Sequence, residues 1–118
     1  MRVTSSLWVS AHMRRAQIAG AFATLVSKGA EEAGAIFVIV NDLQGEYTLY
    51  GPAPQAEYAP DYEGGRLFER VLSTREWSDV NEHLDKEKRF DPDIWVVEIE
   101  DRDGRNFLLD KEHIIRSP

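Results

Sequence analysis

Four acidic residues crowd one short stretch of the chain: Glu98, Glu100, Asp101 and Asp103. Glu98 and Glu100 stand two residues apart, and in an extended strand that spacing puts them on one face about 7 Å apart. Two carboxylates so placed could hold a hard divalent cation such as Mg²⁺, with Asp101 as a further oxygen donor. Their mutual repulsion would also raise one pKa and suit that group to acid–base work. The plainer alternative is structural: the pair meets Arg66 and Arg70 across a sheet, or faces water. Two motif look-alikes fail. Asp101-x-Asp103-Gly104 has the outline of a calcium loop, but the first ligand position is Ile99 and the closing bidentate glutamate is absent. Pro92-Asp93 with Glu98-x-Glu100 has the outline of a nuclease core, yet Glu100 stands where a lysine should stabilise the developing charge.

Cationic chemistry has one candidate, the Arg14-Arg15 pair with His12 beside it, which could receive an anion or an acidic partner. In a helix Arg15 falls on the apolar stripe, where it would snorkel or pair with a carboxylate such as Glu31 or Glu98. His12, His83 and His113 show no metal-ligand spacing with one another. No serine sits in a G-x-S-x-G elbow and no glycine loop matches a phosphate cradle, so no cofactor is expected. The Gly51-Pro52-Ala53-Pro54 bend has two readings. It blunts the end of a strand, or with Tyr50, Tyr58 and Tyr62 it forms a rigid rim for a peptide or small ligand.

Composition removes whole classes of function. The chain has 118 residues, enough for a single domain, residues 1–118, that buries roughly two thirds of its unfolded surface. Its formal net charge is −7, and its basic residues are scattered or interleaved with acids, so phosphate backbones and anionic membranes repel it. It contains no cysteine, which removes disulfides, thiolate nucleophiles and zinc–thiolate sites and is compatible with a reducing cytoplasm. Arg14-Arg15 ahead of Ala19 to Val26 superficially suggests a twin-arginine export signal. That apolar stretch is short, however, and leads straight into residues the core needs. No apolar run approaches the ~20 residues that span a bilayer.

The elements that must position these residues follow from patterning. Thr4, Ser5 or Ser6 can cap a first helix starting near Leu7, with Leu7, Trp8, Ala11, Arg15, Ile18 and Ala19 on one face and a stop at Gly20. A strand from Ala21 to Ser27 follows, although the helical period could also run on to Val26. Ala35 to Val40 is apolar at every position, which places it in the middle of a sheet with both faces covered. Asn41 to Gly45 is turn chemistry, Glu46 to Tyr50 a third strand, Gln55 to Gly65 a polar connection and Arg66 to Leu72 a fourth strand. Ser73-Thr74-Arg75-Glu76 reads as a capping box. It opens a helix that buries Trp77, Val80 and Leu84, carries a Glu82–Lys86 pair and closes its face with Phe90 before Asp91-Pro92-Asp93 ends it. Ile94 to Glu100 is the last long strand, with Trp95, Val97 and Ile99 on one face and Ile94, Val96, Glu98 and Glu100 on the other. After the Asp103-Gly104 turn, Phe107 to Leu109 can return as a short strand. The order α-β-β-β-β-α-β implies an α+β domain, a mostly antiparallel sheet of about five strands with two helices. If both helices cover one face, the other needs a tail, a helix crossing over or a second subunit. A self-complementary sheet face would make a two-fold homodimer.

Four phrases, LWVSAHMRRA at Leu7 to Ala16, GAEEAGAIFV at Gly29 to Val38, LYGPAPQ at Leu49 to Gln55 and RFDPDIWVVEIEDRDGR at Arg89 to Arg105, together resemble the family of domain of unknown function 1491, short proteins of alphaproteobacteria. The resemblance spans essentially the whole chain and brings no activity or catalytic residue. It implies a stand-alone cytoplasmic bacterial domain. Its motif residues Arg14, Arg15, Gly51, Pro52, Pro54, Gln55, Asp91, Pro92, Asp93, Glu98 and Asp101 are the candidate surface. The expected function is a small cytoplasmic, non-enzymatic interaction or regulatory domain. The alternative is a small metal-assisted enzyme built on Glu98, Glu100 and Asp101.

Overall fold

The computed structural model describes residues 3–54 and 66–109, and the backbone of 113–114. The element order is α1 (Ser5–Ile18), β1 (Phe22–Ser27), β2 (Ile36–Asn41), β3 (Tyr47–Pro52), β4 (Phe68–Thr74), α2 (Trp77–Phe90), β5 (Trp95–Glu100) and β6 (His113–Ile114). The expected α+β domain is present, with two helices and a mostly antiparallel sheet in the order β1-β5-β2-β3-β4-β6. The pairs β1–β5, β2–β3 and β3–β4 are antiparallel, whereas β2–β5 and the short β4–β6 contact are parallel.

The two apolar ribbons lie side by side. β2 and β5 pair from Ile36 opposite Trp95 to Asn41 opposite Glu100. Each alternates between two separate cores. On one face Ile36, Val38, Val40, Trp95, Val97 and Ile99 pack against Trp8, Val9 and Ala16 of α1. On the other, Phe37, Ile39, Ile94 and Val96 join Val80 and Leu84 of α2. One helix on each face is what a doubly apolar strand requires, so the dimer argument from a sheet face bare of any helix lapses.

The parallel register puts the lead-ins to β2 and β5 at the same end of the sheet, and they are tied together there. Ala30 N–H donates to the Asp93 carbonyl at 2.9 Å and Trp95 Nε1 donates to the Ala30 carbonyl at 2.8 Å. A Cβ on Gly34 would lie 2.6 Å from that Asp93 oxygen and 2.9 Å from both the nitrogen and the oxygen of Ala30. Backbone therefore stands where a side chain would go. The same loop receives the start of α1. Ser5 and Ser6 N–H groups donate to the carbonyls of Glu32 and Glu31, and buried Ser5 donates its hydroxyl to the Gly34 carbonyl at 2.6 Å.

Several local expectations shift. Thr4 is the N-cap of α1, accepting from Leu7 N–H. The buried stripe runs Ser5, Trp8, Val9, His12 and Ala16, leaving Leu7 and Ile18 exposed. The capping box does not form, because Ser73 and Thr74 still belong to β4, opposite Thr48 and Tyr47. Thr74 Oγ1 instead accepts from Glu76 N–H and donates to Asp79 Oδ2 at 2.6 Å. α2 buries Val80 and Leu84 only. Trp77 meets Tyr47 edge-on and stays partly exposed, and Phe90 lies in solvent. The contact made one turn apart on α2 is His83 with Glu87. β3 runs through Gly51 and Pro52 instead of ending at Tyr50. Phe107 to Leu109 is not a strand; Phe107 has φ 59° and packs with Leu108 against the α1-side core. The Gln55–Gly65 connection, with Tyr58 and Tyr62, lies outside the described residues.

Gly34→Ala has no room for its methyl except by parting the loop from Asp93, and should lower stability by about 2 kcal/mol in urea unfolding. Ala33→Ser, at an exposed site one residue away, should leave the midpoint within about 0.5 kcal/mol of wild type.

Candidate functional site

The end of the sheet that carries the Gly34–Asp93 junction also carries a groove. Gly51 and Pro52 finish β3, Glu69 lies opposite Gly51 on β4, and α2 and the Asp91 that ends it form the far wall. His83 and Glu87 of α2 point in over an apolar floor of Phe37, Val71 and Ile94, enclosing about 360 Å³. Gly51 is needed for that floor, since a Cβ there would sit 2.7 Å from Phe37 Cε2 and 3.1 Å from Val71 Cγ2. His83 Nε2 lies 3.3 Å from Glu87 Oε2. Asp91 Oδ1 accepts from Asp93 N–H at 3.0 Å, the short turn that ends the helix. Among the described residues, those lining it include three carboxylates and a histidine but neither lysine nor arginine. Such a wall attracts a cation, and the floor suits the apolar stem that carries one.

The structure thus brings together Gly51, Pro52 and Asp91 of the sequence-derived surface, with Asp93 held beside them through its backbone. Pro54 is exposed and Gln55 lies outside the described residues. Arg14 and Arg15 belong to α1, on the opposite face of the sheet. Arg14 is solvent-exposed. Arg15 donates Nε and Nη2 to the Phe107 carbonyl, at 3.1 and 3.0 Å. Sequence reasoning missed Glu69, His83 and Glu87. The available signal was the one-turn spacing of His83 and Glu87 on the helix that Asp91 terminates.

The acidic end of β5 does not assemble into a three-carboxylate centre. Glu98 and Glu100 share a face, opposite Thr24 and Phe22 of β1. Burial first, and then the neighbouring Glu100 charge, push the Glu98 pKa up, while a hydrogen bond from Asn41 opposes them. Asp101 turns into its own loop. Arg105 donates Nε to Oδ2 at 3.0 Å, Nη2 to Oδ1 at 2.8 Å and its main-chain N–H to Oδ2 at 2.9 Å. The Arg105 side chain holds the Asp101 carboxyl below the usual carboxylate range. Among the described residues no group of three His, Asp or Glu side chains is placed to hold a metal. Nor do Arg66 and Arg70 reach the pair, because β4 is separated from β5 by β2 and β3. Arg66 instead donates to the Val3 carbonyl and to Ser5 Oγ, at 3.1 and 3.0 Å.

His12 is fully buried in α1, stacked on Trp8 at 4.8 Å, with Nε2 at 2.8 Å from the Asn106 carbonyl. A carbonyl can only accept, so Nε2 carries the proton. Nδ1 has no hydrogen-bond partner. Burial drives its pKa from 6.5 down to about 4.

The fold and site define a three-layer α+β domain, a sheet with one helix on each face and an acid-walled groove at one end. The chain belongs to the family described as "Protein of unknown function (DUF1491)", which matches residues 3–109. It is similar to the crystal structure of a DUF1491 family protein from Caulobacter crescentus, at 36% identity and TM-score 0.79, over 97% of this chain and 99% of that one. An NMR structure of a family member from the same organism gives 38% identity and TM-score 0.79 over 99% of both chains. A solution structure of an A. tumefaciens protein is 48% identical, with TM-score 0.74, over 85% of this chain and 86% of that one. No curated protein matches the chain. Among the described residues, no helix is long and apolar enough to cross a membrane.

Two pH effects follow. His12 takes up a proton more readily unfolded than folded, so stability is complete above pH 6.5 and falls as the pH drops towards about 4. The loss is about 3 kcal/mol, and urea titrations of His12→Gln should lack that slope. Glu98 has the opposite sign. Its raised folded pKa penalises the ionised form, so Glu98→Gln should raise Tm at pH 7 and lose that advantage below pH 4.5, where the wild-type carboxyl is protonated in both states.

Proposed function

We propose that the protein is a cytoplasmic interaction module that receives a cationic side chain of a partner, lysine or arginine on an extended segment, in the groove between α2 and the ends of β2, β3 and β4. The observation that carries this is the wall itself: Glu69, Glu87 and Asp91 around a partly buried histidine, with no basic residue among the described residues that line the space and an apolar floor beneath. A volume of about 360 Å³ suits one long side chain and its flanking backbone, at the small end of ligand sites. The net charge of −7 adds long-range attraction for such a partner and disfavours nucleic acid. Metal-assisted chemistry at Glu98 and Glu100 is the weaker reading, because Asp101 is committed to Arg105.

The test is a titration of the labelled full chain with a short arginine- and lysine-containing peptide, followed by amide NMR. Shifts should concentrate at Gly51, Glu69, His83, Glu87 and Asp91. Affinity should fall about tenfold between low and physiological salt, and again by about tenfold in Glu87→Gln. Shifts scattered over all acidic surface would overturn the reading. A melt with Mg²⁺ decides the alternative: a site held at a hundredfold excess over its dissociation constant stabilises by about 2.7 kcal/mol, and that gain should vanish in Glu98→Gln if those carboxylates hold the ion.

A further inference from the structure

The outer edge of β1 is not covered by any described strand, whereas the far side of the sheet ends in the two-residue β6. Natural edges are blunted by lysine, proline or inward charge. β1 reads FATLVS, without charge or proline, in a chain whose residues are 30% charged. Its one irregularity, the bulge between Leu25 and Ser27, lies at the strand's end and leaves Phe22 to Leu25 regular. Phe22 is 74% exposed, Leu25 41% and Val26 48%. About half of its main-chain N–H and C=O groups point away from β5. What matches such an edge is another uncharged strand, and a second copy supplies one.

We propose that two copies of the chain join β1 to β1, antiparallel about a two-fold axis, into one continuous sheet. Facing side chains in such a pair must lie on the same side of the sheet. A dyad through Thr24 meets that condition over the regular part of the strand: it sets Thr24 against Thr24 and Ala23 against Leu25. Threonine pairs are among the combinations that stabilise a ladder. Charge does not forbid it. The nearest carboxylates are Glu98 and Glu100 on β5. Across the dyad they stand three strand spacings apart, about 14 Å, beyond the ~8 Å over which salt screens them. An edge of six residues buries less than the roughly 1,200 Å² of a standard interface, so the association is weak and concentration-dependent.

Sedimentation equilibrium of the full chain, from about 10 µM to about 1 mM, should show a mass rising from 13.5 kDa towards twice that value. Thr24 is exposed and lies opposite Glu98 on β5, so Thr24→Lys should melt no lower than wild type while setting two ammonium groups across the dyad, weakening association about tenfold. Because the chain has no cysteine, Thr24→Cys under mild oxidation should give a covalent dimer, and Asp85→Cys, at an exposed position on α2, should not. A monomer throughout the concentration range, equal association of Thr24→Lys, or equal cross-linking at both positions would overturn the proposal.

Discussion

The arrangement depends on one pairing, β2 against β5 in parallel. These strands begin 59 residues apart in the chain and are buried on both faces. A parallel pair cannot be closed by a hairpin, so everything between the two strands becomes a crossover. Here that crossover holds β3, β4 and α2, and it carries α2 to the face opposite α1. Parallel register also puts like ends together. The glycine loop before β2 lands on the Asp91–Asp93 turn before β5, and at the far end Asp101 N–H donates to the Asn41 carbonyl at 3.0 Å. The groove lies at the first of these ends, and the Asp101–Arg105 clasp at the second.

The buried polar groups serve that frame. Among the described residues, Ser5, His12, Arg66 and Asp101 are the buried polar residues, and each fixes a loop or turn in place. Ser5 holds the Gly34 carbonyl, Arg66 holds Val3 and Ser5, His12 holds Asn106, and Asp101 closes its own turn through Arg105. Unsatisfied, each would cost about 1–3 kcal/mol. Most acceptors are main-chain carbonyls, so these side chains fix the course of the backbone. Near the groove, Glu87 meets His83 one turn away and Asp91 makes the helix-ending turn.

The sequence made the two ribbons legible because β-branched and aromatic residues crowd them, and Asp91-Pro92-Asp93 was legible because proline forbids the helical turn before it. Parallel direction was not legible. A strand apolar on both faces carries no alternation from which a neighbour's direction follows. The α1 stripe was misplaced because His12 reads as polar and Leu7 and Ile18 as apolar. Burial of a neutral imidazole against Trp8 reverses that assignment. The helix cap at Ser73 was overruled by two further rungs of β4 against β3, where Ser73 Oγ meets Thr48 Oγ1 at 3.2 Å. Of the candidate surface, Gly51, Pro52 and Asp91 meet across distant parts of the chain. Arg14 and Arg15 were grouped with them by motif alone, and no periodicity could have told that a sheet stands between.

His12 and Arg15, on the first helix, take their acceptors from Asn106 and Phe107, more than ninety residues downstream. During synthesis α1 leaves the ribosome long before those carbonyls exist. Its imidazole and guanidinium must stay hydrated, and its Trp8 face unsealed, until the polypeptide beyond β5 has emerged. Made before the other described elements, α1 is therefore among the last to lock, and a nascent chain halted before Asn106 would present this helix to chaperones rather than to its own core.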